Sequence, residues 1–215
     1  MGHRVFITGG TGYIGSRLIP LLAARGHDVV ALVRPGSECK LPPACTPVQG
    51  DALDGATYAQ HLASRDTFIQ LVGVAHPSPA KAKEFAAIDQ KSGLEAIRAA
   101  KAAAIAHFVY VSVAHPAPAM HAYIAARAAC EDELLRSGMN ATILRPWYVL
   151  GPGHWWPCFL LPFYWIAGRI PGKRESVLRL GLVTLDQMLK ALANAVDEPA
   201  QGIRIVEVPA IRAAA

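Results

Sequence analysis

Apolar residues along this chain fall into short runs separated by longer segments with a helical repeat. Residues His3 to Thr8 (HRVFIT) read as a buried strand, glycines follow at once, and Tyr13 to Arg25 has the spacing of an amphipathic helix. Gly26 ends that helix in the manner of a C-cap, and Asp28 to Val33 (DVVALV) reads as a second strand. Pro35 to Pro47 contains four prolines and reads as loop where a crossover helix would be expected. A weak strand near Val48, a short helix near Ala56 to Ala63 and a strand over Thr67 to Val72 come next. Lys81 to Ala104 reads as a long Ala-rich helix, followed by a strand at His107 to Ser112 (HFVYVS). A helix over Met120 to Ser137 is closed by Gly138, and the strand Ala141 to Arg145 is stopped by Pro146. A helix at Thr184 to Val196 and a strand at Ile203 to Val208 complete the pattern. Repeated alternation of strand and helix predicts an α/β fold, a doubly wound parallel sheet covered on both faces.

The pattern changes after Gly153. Residues His154 to Pro171 (HWWPCFLLPFYWIAGRIP) gather three of the four tryptophans, which divides the chain into a core over 1–153 and a small C-terminal region over 154–215 integrated with it. The uncharged stretch Trp155 to Gly168 contains two prolines and falls short of the roughly 20 apolar residues of a spanning helix. It suits a substrate pocket, a dimer face or a helix over the sheet edge; contact of 155–174 with a membrane surface is not expected. The N-terminal MGHRVFITGG lacks the apolar run of a secretory signal, so a cytoplasmic location is expected. Four scattered cysteines without a CxxC pair fit reduced thiols, not a disulfide frame or a metal site. The formal charge of +5, from 21 basic and 16 acidic residues, is dispersed, and no nucleic-acid module is visible. An anionic cofactor accounts for the excess equally well.

The densest chemical signal is Thr8-Gly9-Gly10-Thr11-Gly12-Tyr13-Ile14-Gly15, a GxxGxxG between the first strand and the first helix. Such a loop needs glycine for the turn (Gly9), for approach of the backbone to a pyrophosphate (Gly12) and for close helix packing (Gly15). The helix N-terminus then offers free N–H groups and partial positive charge to phosphates. The alternative is an ordinary turn, but the placement marks a Rossmann-like dinucleotide site. The end of the second strand chooses the dinucleotide. A site for NAD usually has an acid there to accept from the ribose 2′-hydroxyl. Here Val33 holds that position and Arg34 follows, which suits a 2′-phosphate, so NADP(H) is preferred over NAD(H). Arg17 is a candidate second contact.

With these residues in place, the sequence resembles the short-chain dehydrogenase/reductase superfamily, in its extended and atypical, epimerase-like branches. The resemblance rests on TGGTGYIG at 8–15, Gly50-Asp51, FVYVS at 108–112, Tyr123 with Arg127, and ILRPWYVLGPG at 143–153. It implies that Asp51 and Ala52 border the adenine, that Leu71, Val72 and Gly73 line the cofactor, and that Pro146 lies near its nicotinamide end. It also implies cofactor contacts from Gly9, Thr11, Gly12, Tyr13, Ile14, Gly15, Arg34, Tyr123 and Arg127. Active members pair a tyrosine with a lysine four residues on, which lie on one helix face. Here the pair is Tyr123 and Arg127, which keeps the charge but not the shape of the lysine. The family's carbonyl-polarising serine or threonine aligns with Val113. The adjacent Ser112 is the nearest hydroxyl and joins Tyr123 and Arg127 as the candidate catalytic set, although strand alternation would turn it the other way. His115, on the loop that follows, is a substitute donor or a surface histidine, and His121 has the same standing.

Three functions fit this reading. The first is an NADP(H)-dependent reductase of a carbonyl on an apolar small molecule, with Tyr123 as general acid and Arg127 on the ribose. The second is a catalytically weak or inactive NAD(P)H-binding sensor or assembly subunit. The third is a nucleotide-sugar epimerase or dehydratase. Expected partners are a small-molecule substrate and no nucleic acid, in a monomer or homodimer.

Overall fold

The computed structural model describes residues 2–153 and 178–214; the aromatic segment at 155–168 and the whole of 155–174 lie outside them. Seven strands form one parallel sheet: β1 (Arg4–Thr8), β2 (Asp28–Val33), β3 (Thr46–Gln49), β4 (Thr67–Gln70), β5 (His107–Val111), β6 (Ala141–Arg145) and the late strand Ile203–Glu207. Their spatial order is β3-β2-β1-β4-β5-β6 followed by that late strand. Every neighbour pair is parallel, with Val5 beside Val29 on one side and Thr67 on the other. Two further short strands, β7 (Tyr148–Leu150) and β8 (Leu182–Thr184), pair with each other in parallel, so the late strand is β9. The expected doubly wound α/β architecture is therefore present.

Helices cover both faces. On one, α1 (Gly15–Ala24) packs against the later helix Leu185–Asp197, and Leu18, Ile19 and Leu22 meet Met188, Leu192 and Val196 over Val5, Ile7 and Val109. On the other face, three helices follow α1 in the chain: α2 (Ala82–Glu84), α3 (Lys91–Ala102) and α4 (His121–Ser137). There Phe6, Phe68, Phe108 and Tyr58 stack beneath Ile97, Ala100 and Leu134. Helix α5 (Leu185–Asp197) starts at a capping box: Thr184 Oγ accepts from the Gln187 N–H, and Gln187 accepts from the Thr184 N–H. A last short helix, α6 (Val208–Ala213), adds Val208 and Ile211 to the first face.

Three expectations are corrected. The helix expected over Lys81 to Ala104 is interrupted by a π-helical turn at Phe85–Gln90 between α2 and α3. The short helix near Ala56 to Ala63 is two separate 3-10 turns, Gly55–Thr57 and Ala59–His61, because Tyr58 turns into the core and breaks the repeat. The expected strand at Ile203 to Val208 ends at Glu207, since Val208 opens α6. Among the described residues no helix is long and apolar enough to cross a membrane.

Candidate active site

In a parallel sheet the carboxyl ends of all strands meet at one edge, and ligands bind there. Along this edge runs a cavity of about 1080 Å³. Its floor is the phosphate loop. Gly9 has φ +73°, a left-handed conformation that favours glycine, and its carbonyl accepts from the Gly12 N–H. A Cβ on Gly15 would collide with the Gly9 carbonyl, so the loop can close onto α1 only with glycine there. Gly9, Thr11 and Gly12 line the cavity, whereas Tyr13, Ile14 and Gly15 do not. Tyr13 turns away, its hydroxyl packed where a Cβ on Gly151 would sit and its ring under the Arg17 guanidinium. Ile14 packs against the core.

At one end of the cavity, Arg34 lies with Ser37 and Lys40. Ser37 and Lys40 come from the proline-rich loop that offered no repeat to read, yet they add a hydroxyl and a second cation beside Arg34. Asp51 and Ala52 line the same chamber; Asp51 accepts from the Leu53 N–H, and its own N–H is taken by Thr57. Leu71, Val72 and Gly73 form the wall beyond β4, and Lys81, Glu84 and Ile88 face them. The volume and the donor set, an exposed backbone turn with two cations and a hydroxyl at one end, fit an anionic dinucleotide.

Tyr123, Arg127 and Pro146 are not among the cavity-lining residues. The reason for Arg127 is explicit. Its guanidinium is buried and donates to Asp89 Oδ1 at 2.6 Å and to the Val111 carbonyl at 2.8 Å. A Cβ on Gly73 would overlap it, so Arg127 lies just behind the cavity wall. Burial opposes its charge, and Tyr123, Tyr110 and Asp89 together more than offset that, leaving its pKa above the ordinary value. Burial pushes the Asp89 carboxyl upward, against the pull of Arg127 and the Val74 N–H. The π-helical turn sets this register. Phe85 meets the Tyr123 ring edge-on at 5.0 Å while Asp89, four residues on, meets Arg127. A buried chain of hydrogen bonds continues from Asp89 through Ser92 and Gln70 to Thr8, the residue before the phosphate loop. Asp89, Ser37 and Lys40 were all missed in the sequence; a buried carboxylate in an Ala-rich helix was the one available signal for Asp89.

Ser112 is buried against Glu131, one turn further along α4. Glu131 also accepts a two-pronged contact from Arg145 and lies 3.4 Å from His115 Nε2. Burial raises its pKa, but Arg145, Ser112 and His115 overcome this and hold the carboxyl below its usual range. Pro146 ties the loop after β5 to β6, its carbonyl accepting from the Ala114 N–H at 2.9 Å.

The chain is similar to known proteins in sequence and in fold. Residues 9–151 match the model of a family described as NAD(P)H-binding. A 3-beta-hydroxysteroid dehydrogenase of Mycolicibacterium neoaurum is 30% identical over 115 residues, 51% of this chain and 31% of that protein. The chain thus spans about a third of the length of that relative. Among solved structures, the Bordetella bronchiseptica enzyme WbmH in complex with NAD+ superposes with a TM-score of 0.72 at 25% identity, covering 96% of this chain and 76% of that one. A double mutant of the dTDP-glucose 4,6-dehydratase DesIV of Streptomyces venezuelae, with NAD bound, has the same fold at 20% identity and a TM-score of 0.70, covering 94% of this chain and 74% of that one. The glycine loop, the edge cavity and the match over 9–151 together place this chain in the NAD(P)H-binding family, within the extended short-chain dehydrogenase/reductase superfamily.

Proposed function

We propose that the protein is an NADP(H)-dependent reductase acting on a carbonyl of an apolar small molecule. The observation that supports this reading best is the cavity itself, which joins the glycine loop to Arg34, Ser37 and Lys40 at one end and to Gly73, directly over Arg127, at the other. Arg34 and Lys40 hold the 2′-phosphate with help from the Ser37 hydroxyl, and Gly12 and the α1 N-terminus hold the pyrophosphate. The cofactor, when bound, supplies the hydride. Tyr123 gives its phenolic proton to the substrate oxygen, and Arg127, fixed by Asp89, keeps helix α4 and the Gly73 wall in register. The steroid alcohol named for the Mycolicibacterium relative is an apolar substrate of that protein and supports an apolar one here.

NADPH should bind at least several-fold more tightly than NADH in a fluorescence or calorimetric titration. Replacing Arg34 and Lys40 together by Ala should erase that preference with little effect on NADH. Equal affinities in the wild type would remove the 2′-phosphate assignment. The second reading, a nucleotide-sugar epimerase or dehydratase using NAD(H), is favoured by the superposition on DesIV. It requires that the protein convert dTDP-glucose when supplied with NAD+, and no carbonyl when supplied with NADPH.

A further inference from the structure

The floor and the wall of the cavity meet at one place. A Cβ on Gly9 would stand 2.9 Å from the Leu71 carbonyl carbon and 3.0 Å from the Val72 nitrogen, so the phosphate loop lies directly against the end of β4. The residues that lead into this contact, Thr8 on β1 and Gln70 on β4, are register partners, and both are buried. Thr8 Oγ donates to Gln70 Oε1, the Gln70 amide donates to Ser92 Oγ at 3.1 Å, and Ser92 Oγ donates to the Asp89 carbonyl at 3.3 Å. Asp89 then reaches back to the far end of the same wall. Its carboxylate accepts from the Val74 N–H at 3.1 Å and from Arg127 at 2.6 Å. The wall of Leu71, Val72 and Gly73 therefore hangs between two anchors, Gln70 at its start and Val74 at its finish, and one buried polar line holds both. Thr8, Gln70, Ser92 and Asp89 are not themselves among the cavity-lining residues.

Stability does not require such a line, because an apolar set of the same shape is nearly as stable as a fully paired polar one. What a complete polar line supplies is geometry, since each donor has one acceptor and a broken link leaves a buried group unpaired. We infer that Gln70 is a positioning residue for a nucleoside diphosphate bound on the glycine loop. Through Thr8 it fixes the loop, and through Ser92 and Asp89 it fixes the wall that faces the loop. Occupancy of the loop is then coupled to the Asp89–Arg127 pair behind Gly73, and the coupling is reciprocal. This rests on the placement of the pyrophosphate at the glycine loop in the reading above, and it does not depend on turnover.

The test uses the double variant Thr8→Val/Gln70→Leu in the full chain, which removes donor and acceptor together, with ADP as the probe. The melting temperature should stay near that of the wild type, while Kd for ADP rises about tenfold, the weight of about one hydrogen bond. Thr8→Ser keeps the donor and should bind ADP as the wild type does. A second readout follows Arg127, whose Nε–H has no hydrogen-bond partner among the described residues. In ¹⁵N-labelled protein this signal, assigned by its loss in Arg127→Lys, should shift when ADP binds the wild type. It should stay in place when ADP saturates the double variant. If the double variant melts early, Ser92→Ala interrupts the same line one step further on and carries the same two expectations. Equal ADP affinities, or an Arg127 signal that still shifts in the saturated variant, would overturn the inference and leave the cofactor reading standing. A folded wild type that binds no ADP would remove the dinucleotide reading, and the inference with it.

Discussion

At the scale of the residue, the Tyr123–Arg127 pair shows how a substitution on one helix is absorbed by another element. A guanidinium in a dry site needs a counter-ion and acceptors; Asp89 and the Val111 carbonyl serve its two terminal nitrogens, while Nε has no hydrogen-bond partner among the described residues. Arg127→Met should therefore leave Asp89 buried and uncompensated, costing about 3–5 kcal/mol in urea denaturation. Adding Asp89→Asn should recover much of that loss, because the amide can still accept from the Val74 N–H without an unpaired charge. A single variant that costs nothing would show that the pair has no stabilising role. His107 gives a second residue-level prediction. Burial pushes its pKa down from 6.5 to about 4, with Arg204 and His3 adding to the effect, and its Nε2 sits 3.0 Å from Thr142 Oγ. Above pH 6.5 the imidazole is neutral in both folded and unfolded chains and contributes no pH dependence. Between 6.5 and 4 only the unfolded chain takes up the proton, so stability falls as the pH falls, by about 3 kcal/mol at 1.36 kcal/mol per unit. His107→Gln should remove that part of the slope in a pH series of denaturation curves.

At the scale of the element, legibility followed the punctuation. Strands β2 and β6 were readable to the residue because Gly26 and Pro146 bound them, and the glycine loop was readable because its spacing is itself the physics of phosphate approach. The π-helical turn at Phe85–Gln90 was not, because an Ala-rich run keeps its apolar character whatever its period; what selects the extra residue is the distant demand of Tyr123 and Arg127 for Phe85 and Asp89. The pairing of β7 with β8 was hidden for a related reason, since two three-residue strands more than thirty positions apart leave no local signal. In the candidate site, Arg34 was legible from its place after a strand, whereas Ser37 and Lys40 sit in a loop whose fold depends on the 3-10 turn Glu38–Lys40. The element most open to direct test is α5, whose start is held by a reciprocal side-chain cap. Thr184→Ala removes the acceptor for the Gln187 N–H and should cost about 1 kcal/mol, read as a lower Tm with no change in NADPH affinity. A larger loss would mean that Thr184 also positions β8 against β7.

At the scale of the whole molecule, the carboxyl edge of the main sheet carries the cavity and the residues proposed to use it, and these make separable demands. The glycine loop and the Arg34 arc need only to bind; Tyr123 matters only if a substrate reacts. Saturating NADPH should stabilise the folded chain by RT ln(1 + [L]/Kd), about 2.7 kcal/mol at a hundredfold excess over Kd. Gly12→Val should abolish that stabilisation, since its side chain would stand at the cavity floor against the Gly9 carbonyl. Tyr123→Phe should not, because the ring and its edge-on contact with Phe85 are retained. What the phenylalanine variant lacks is the proton. In a reductase it should therefore keep full NADPH-induced stabilisation while kcat for any accepted carbonyl drops by about 10²-fold or more, the usual scale for a general acid. A chain that only senses or scaffolds would show the same stabilisation in both proteins and no NADPH oxidation above background across a broad panel of carbonyls. Measuring stabilisation and turnover on the same three proteins separates a failed cofactor site from a silent catalytic one, and wild-type turnover that survives Tyr123→Phe would remove the tyrosine from the reaction.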